Sequence, residues 1–282
     1  MKENVSFIGT GNMGGALIHA ACRALDPKQV IITDSVAEKA NSMAKELNCC
    51  CVKTNKEAVE KGNYIFLCVK PQIVHTVLNE IAPVLKDCLR KGEKKILVSI
   101  AAGVEIAAIK KMLVEAEELL KNDEEKWSVI RVMPNTSAAI GKGMLAVAAG
   151  PEVEEEYING VMEILSKAGR VERLSENLID SFTALCGSSP AYVYIFIEAL
   201  ADGAVAAGLP RSQAQTYAAQ TVMGAASMVL ETGRHPGELK DAVCSPAGST
   251  IAGVAKLEEK GFRSAVIEAV KAGYEKNKDL GK

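Results

Sequence analysis

Val5-Ser6-Phe7-Ile8, an apolar run of strand length, passes directly into Gly9-Thr10-Gly11-Asn12-Met13-Gly14, and few folds accept that junction. Helical periodicity then runs from Asn12 to Leu25, so the segment reads as strand, tight turn and helix. In such a unit Gly9 permits the turn, Gly11 lets the backbone approach a pyrophosphate, and Gly14 lets the helix pack closely. The helix N-terminus adds free N–H groups and a positive dipole. Ile8, Gly9, Thr10, Gly11, Asn12 and Met13 are therefore candidate dinucleotide-binding residues. The bland alternative is a glycine-rich turn without a ligand.

The pattern repeats along the first half. Candidate strands at Val5–Ile8, Val30–Thr33, Tyr64–Val69, Lys95–Ser99 and Ser128–Val132 alternate with helical segments such as Asn12–Leu25, Val36–Leu47 and Ile73–Leu85. That alternation predicts a parallel sheet with helices on both faces. Met144–Ala149 and Arg170–Leu174 add two edge strands, so residues 1–174 form a doubly wound α/β dinucleotide-binding domain. A length of 282 residues leaves room for a second domain at about 150 residues each. From Glu176 onward no strand pattern is found, and residues 175–282 read as all-helical. The stretches after Pro190 and from Ala218 to Leu230 are apolar nearly all round. Such helices need partners on every face, which predicts a domain interlocked with a second copy in a homodimer.

Composition narrows the partners. Thirty-three Lys+Arg against thirty-five Asp+Glu give a net charge of −2, so no basic excess exists to neutralise a nucleic-acid backbone. Aromatic residues at 4% leave little for base stacking. The eight cysteines include Cys49-Cys50-Cys51, which lacks metal-ligand spacing, and only three histidines are present, so no metal site is expected. Several cysteines sit inside apolar runs, which predicts reduced thiols and a cytoplasmic protein. Strand pattern begins at Val5, which leaves no room for a signal peptide. The most lipid-like stretch, Pro190 to Leu209, carries Glu198 and Asp202; those acids favour a buried helix of a soluble protein over a membrane span.

Other segments carry chemistry. Asp34, after the second strand, stands where an acid pairs with the ribose hydroxyls of NAD and would repel the 2′-phosphate of NADP. Ser35-Val36-Ala37-Glu38 reads as a capping box, and a capped helix start also suits a phosphate, so cofactor choice stays open on these residues. Cys68-Val69-Lys70-Pro71, Ser99-Ile100-Ala101-Ala102-Gly103 and Met133-Pro134-Asn135 end three successive strands on one edge, which suits a nicotinamide ring. In the helical half, Gly187-Ser188-Ser189-Pro190 and Ser245-Pro246-Ala247-Gly248-Ser249-Thr250 each place small residues and hydroxyls before a helix, where a carboxylate or a simple N-cap fits equally. No lysine lies between Lys167 and Lys240, and no histidine between His75 and His235. The reaction should then need no strong acid–base side chain.

With these motifs assembled, the chain resembles the Δ1-pyrroline-5-carboxylate reductases over essentially its whole length. FIGTGNMGGAL, VKPQ, VSIAAGV, RVMPNTSA, GSSPAYVYIFIEALADGAVAAGLPR and HPGELKDAVCSPAGSTIAGVAKLEEKGFRSAVIEA carry the resemblance. It implies a Rossmann domain followed by a helical dimerisation domain, with some members assembling dimers into larger rings. It also implies hydride transfer from a reduced nicotinamide to the C=N bond of pyrroline-5-carboxylate, giving proline. A protonated imine is already electrophilic, so positioning and electrostatics can supply most of the catalysis. By position, Gly9 to Met13 and Asn55 would contact the cofactor, and Val69, Lys70 and Pro71 with Ala101, Ala102 and Gly103 would line its nicotinamide half. Ser245, Gly248, Ser249 and Thr250 would hold the substrate carboxylate, with Thr250 at the ring nitrogen as the candidate catalytic residue. NADPH is the cofactor the resemblance implies. Asp34 stands where the family often has a smaller residue, which leaves NADH open, and Ala247 stands where a glycine is common.

Overall fold

The computed structural model describes residues 3–116 and 127–280, which cluster into two compact units. One comprises the described residues up to Gly187 together with those from Tyr274 onward, and the other is Ser188–Gly273.

The first unit holds one eight-stranded sheet in the order β3-β2-β1-β4-β5-β6-β7-β8. Its strands are β1 (Val5–Ile8), β2 (Val30–Thr33), β3 (Cys50–Cys51), β4 (Tyr64–Leu67), β5 (Ile96–Ser99), β6 (Ser128–Met133), β7 (Gly143–Ala149) and β8 (Gly169–Arg173). Strands β1, β2, β4 and β5 are buried along their whole length, as expected of a parallel sheet covered on both faces. Helices α1 (Asn12–Ala24) and α6 (Glu155–Leu165) belong to the core on one face, with Phe7, Leu17, Ile32 and Ile164. Helices α3 (Asn55–Lys61), α4 (Pro71–Arg90) and α5 (Ile106–Ala116) cover the other face, around Ile65, Leu78 and Ile109. Helix α2 (Ala37–Leu47) follows β2.

Two features depart from the pattern read in the sequence. β7 runs antiparallel to β6: their connection, 134–142, holds only a 3₁₀ turn at Thr136–Ile140, too short for the crossover a parallel partner requires. β3 has only two residues, pairing with Ile31 and Ile32, and is too short to show an alternation. The sheet unit also continues past 174, because Ile179 is fully buried against Met133, Ala146 and Ala148, with Phe182 beside it.

Among the described residues after Arg173, every regular element is helical. A short α7 (Ile179–Phe182) and a π-helical turn (Thr183–Gly187) lead to α8 (Ser189–Ala206), α9 (Arg211–Thr232), α10 (Pro236–Ala242), α11 (Ser249–Glu259) and α12 (Phe262–Leu280). Ala201, Ala214 and Ala218 form the small core where α8 meets α9. The expected burial of the apolar stretch after Pro190 is not supplied by its own chain. Ala201 alone is buried along α8, while Tyr194 and Ile195 are 60% and 65% exposed. The span Glu176–Ala206 is long and apolar enough to cross a membrane by length and composition.

Candidate active site

The glycine loop is shaped by contacts that exclude side chains. Gly9 has φ +105°, and a Cβ there would lie 2.6 Å from the Cys68 carbonyl oxygen. A Cβ on Gly14 would lie 2.3 Å from the Gly9 carbonyl oxygen. Beside Gly11 a Cβ would meet nothing within 4 Å, so its backbone faces open space. That space is a cavity of about 550 Å³ at the carboxyl ends of β1, β4, β5 and β6, a volume suited to a small-molecule site. Gly11, Asn12 and Met13 line one part of it, Val69, Lys70 and Pro71 another, and Ala101, Ala102, Met133 and Pro134 a third. Gly11 is also the residue that caps α1 with no side chain of its own, so the first N–H groups of that helix are unserved by a cap. This cradle fits a dinucleotide pyrophosphate.

Asp34 works inward. One carboxylate oxygen accepts from the Thr10 N–H at 2.6 Å and the Thr10 hydroxyl at 2.8 Å. The other accepts from the Val36 N–H at 2.9 Å and from the Ser35 hydroxyl at 3.4 Å. Burial opposes the charged carboxylate, yet the bonds from Val36 and Thr10, with Lys39 nearby, hold its pKa below the ordinary value. Asp34 thus ties the end of β2 to the glycine loop. The capping-box reading is corrected at the same place: Val36 precedes α2, and no side chain caps that helix.

Other candidate residues fall around the cavity or away from it. Ile8 is buried in the sheet and lies next to the loop through its backbone. Ser35 and Gly103 are outside the cavity lining, and Gly103 turns with φ +75°. Asn55, also outside that lining, donates its side-chain amide to Glu80 at 2.7 Å. Lys39, absent from the sequence reading, does line the cavity. Its signal was legible: a lysine in the first turn of a helix opposes the dipole unless an anion is near. Cys68 borders the same space, and burial pushes its thiol pKa up, which keeps it neutral rather than nucleophilic.

The other candidate loop lies in the second unit. Gly248 precedes α11 and offers no side-chain cap, and its N–H closes a turn on the Ser245 carbonyl at 3.0 Å. A Cβ on Gly248 would lie 2.3 Å from Ser245 Oγ, so a side chain there would require the Ser245 hydroxyl to turn away. Ser249 and Thr250 form the exposed first turn of α11, where uncapped N–H groups suit a carboxylate. Ala247 carries φ +57° in this turn, a conformation that costs a β-carbon about 1–2 kcal/mol.

Comparison with known proteins places both units. A family model described as pyrroline-5-carboxylate reductase dimerisation matches residues 176–280, and one described as NADP oxidoreductase, coenzyme F420-dependent, matches residues 4–103. The chain is 41% identical to the pyrroline-5-carboxylate reductase of Escherichia coli strain K12, with both chains covered completely. It is similar to the solved pyrroline-5-carboxylate reductase of Coxiella burnetii, with TM-score 0.89 and 29% identity over 100% of both chains. A Plasmodium falciparum pyrroline carboxylate reductase structure with NADP bound gives TM-score 0.83 and 30% identity, covering 100% of this chain and 99% of that one.

Proposed function

The chain belongs to the pyrroline-5-carboxylate reductase family, and on that premise we propose how its own residues carry the family's reaction. The enzyme reduces the C=N bond of L-1-pyrroline-5-carboxylate and forms L-proline, the final step of proline biosynthesis. NADPH is the cofactor and supplies the hydride.

The single observation that carries the cofactor assignment is the cavity over Gly11. Gly9 to Met13 hold the pyrophosphate through backbone N–H groups, and the strand ends Val69–Pro71 and Ala101–Gly103 flank the nicotinamide. Lys39 meets the 2′-phosphate, since it lines the same cavity while both Asp34 oxygens are committed elsewhere. Ser35 and Asn55, both outside that lining, are assigned to the cofactor on sequence position and family resemblance. The turn Ser245–Gly248 and the first N–H groups of α11, at Ser249 and Thr250, hold the substrate carboxylate. The Thr250 hydroxyl hydrogen-bonds the ring nitrogen and orients the imine. Catalysis then rests on orientation of the reactants, which can supply several kcal/mol without a titrating base.

We divide the chain functionally at 174/175, in keeping with the dimerisation match that begins at 176. The chain assembles as a homo-oligomer. The pairing is a homodimer in which a second copy covers α8, and dimers can assemble further. No basic surplus supports nucleic-acid binding, and the acids within the apolar span argue against a membrane. All eight cysteines are free thiols, which supports a cytoplasmic location.

Steady-state turnover of pyrroline-5-carboxylate with NADPH, measured beside NADH, tests this reading. NADPH should be preferred, and Thr250→Ala should lower turnover roughly tenfold or more while NADPH affinity is kept. Cofactor binding with no consumption of this imine, but with consumption of a larger cyclic imine, would move the assignment to another substrate.

A further inference from the structure

Arg131 is the one arginine in β6, and its side chain is only 3% exposed. Such a charge needs a partner. Glu176 provides it: Arg131 Nη1 lies 3.3 Å from Glu176 Oε1. Arg131 Nε is buried with no hydrogen-bond partner among the described residues. The same Glu176 oxygen accepts from the Ile106 N–H at 2.8 Å. Ile106 is the first residue of α5, so the carboxylate also sits at the positive end of that helix.

The segment between β5 and α5 is the one whose Ala101 and Ala102 line the cavity. It is held at both ends. At its start the Ser99 hydroxyl accepts from the Ala101 N–H at 3.2 Å. Within it the Val104 N–H meets the Ala101 carbonyl at 3.4 Å, and Gly103 turns at φ +75°. At its end the Ile106 N–H donates to the Glu176 carboxylate. Glu176 is also the first residue of the dimerisation match. Asn135 makes a parallel link, donating to the Cys186 carbonyl at 3.0 Å and accepting from the Met144 N–H at 3.2 Å. The chain leading toward the helical unit is therefore hydrogen-bonded to the start of α5, to β6 and to the residue Asn135 just beyond β6.

We propose that Glu176, held by the buried Arg131, is a positioning residue that fixes the 100–106 loop against the nicotinamide half of the cofactor. The inference rests on the reading that this edge takes the nicotinamide. Glu176 touches neither cofactor nor imine; it acts through the Ile106 N–H and the loop behind it. Loosening the loop should weaken the hold on the nicotinamide half and leave the adenosine half alone.

The test compares two probes on the purified oligomer: NADPH, and adenosine 2′,5′-bisphosphate, which lacks the nicotinamide. For Glu176→Ala, NADPH affinity should fall about tenfold while bisphosphate affinity stays within about twofold. Glu176→Ala leaves the Arg131 charge alone in the interior and can fail to fold for that reason. The double variant Arg131→Met/Glu176→Ala removes the charge and the brace together, and it should show the same selective loss. Glu176→Gln keeps an acceptor for the Ile106 N–H and should retain most of the affinity. Unchanged affinity for both probes in the folded variants overturns the positioning role and leaves the site reading intact. An equal loss for both probes instead overturns the placement of the nicotinamide on this edge, and the proposal with it.

Discussion

Asp34 shows how a residue that matches a specificity rule can serve another purpose. Its position after β2 suits a ribose ligand, but its four hydrogen bonds go to Thr10, Ser35 and Val36. Removing it should loosen the glycine loop beneath the pyrophosphate. Asp34→Ser is therefore expected to weaken NADPH and NADH alike, by roughly three- to tenfold, with little change in their ratio. Lys39→Ala should instead lower NADPH affinity about tenfold and spare NADH. Titration of both variants with both cofactors separates a brace from a phosphate ligand. The pH dependence has a definite sign. The pKa of Asp34 is depressed in the folded protein, so its stabilising contribution is full above its unfolded value of 3.8 and is lost as pH falls through the lower folded value. Cofactor binding should thus keep the Asp34 brace throughout the neutral and mildly acidic range.

At the scale of elements, strands and helices with a clear period were legible, and short or conditional ones were not. β1 and β2 fall where the β-branched runs place them, at Val5–Ile8 and Val30–Thr33. β3, at Cys50–Cys51, is held by its neighbour Ile31–Ile32 rather than by any pattern of its own. α8 is the instructive case. Its all-round hydrophobicity was visible, but a single copy leaves Val193, Tyr194 and Ile195 exposed, so in the proposed dimer its burial comes from the second copy. Ile195→Glu should place a charge in the face covered by the second copy, at a cost of several kcal/mol per interface. Light scattering on the variant should give a monomer where the native protein gives a dimer or larger species. An unchanged mass would put Ile195 outside the interface.

For the whole molecule, the order of strand, turn and helix through residue 174 dictates the sheet edge, and the sheet edge dictates where a dinucleotide can lie. That much followed from the spacing of glycines and apolar runs. The loop Ser245–Thr250 carries small residues and hydroxyls that fit a carboxylate or an N-cap equally, and the choice of a substrate carboxylate rests on family resemblance. The Arg131–Glu176 pair escaped the sequence reading because each member depends on a neighbour distant in the chain, whereas Lys39 carried a local signal at the start of α2. The missing lysine and histidine over the region before His235 fit a reaction in which the substrate brings its own electrophile.

Transfer of deuterium tests the central claim most directly. With NADPH dideuterated at nicotinamide C4 and pyrroline-5-carboxylate as acceptor, mass spectrometry should find proline with one deuterium at the former imine carbon. Proline without label, or oxidised cofactor without proline, would contradict hydride transfer to the C=N bond.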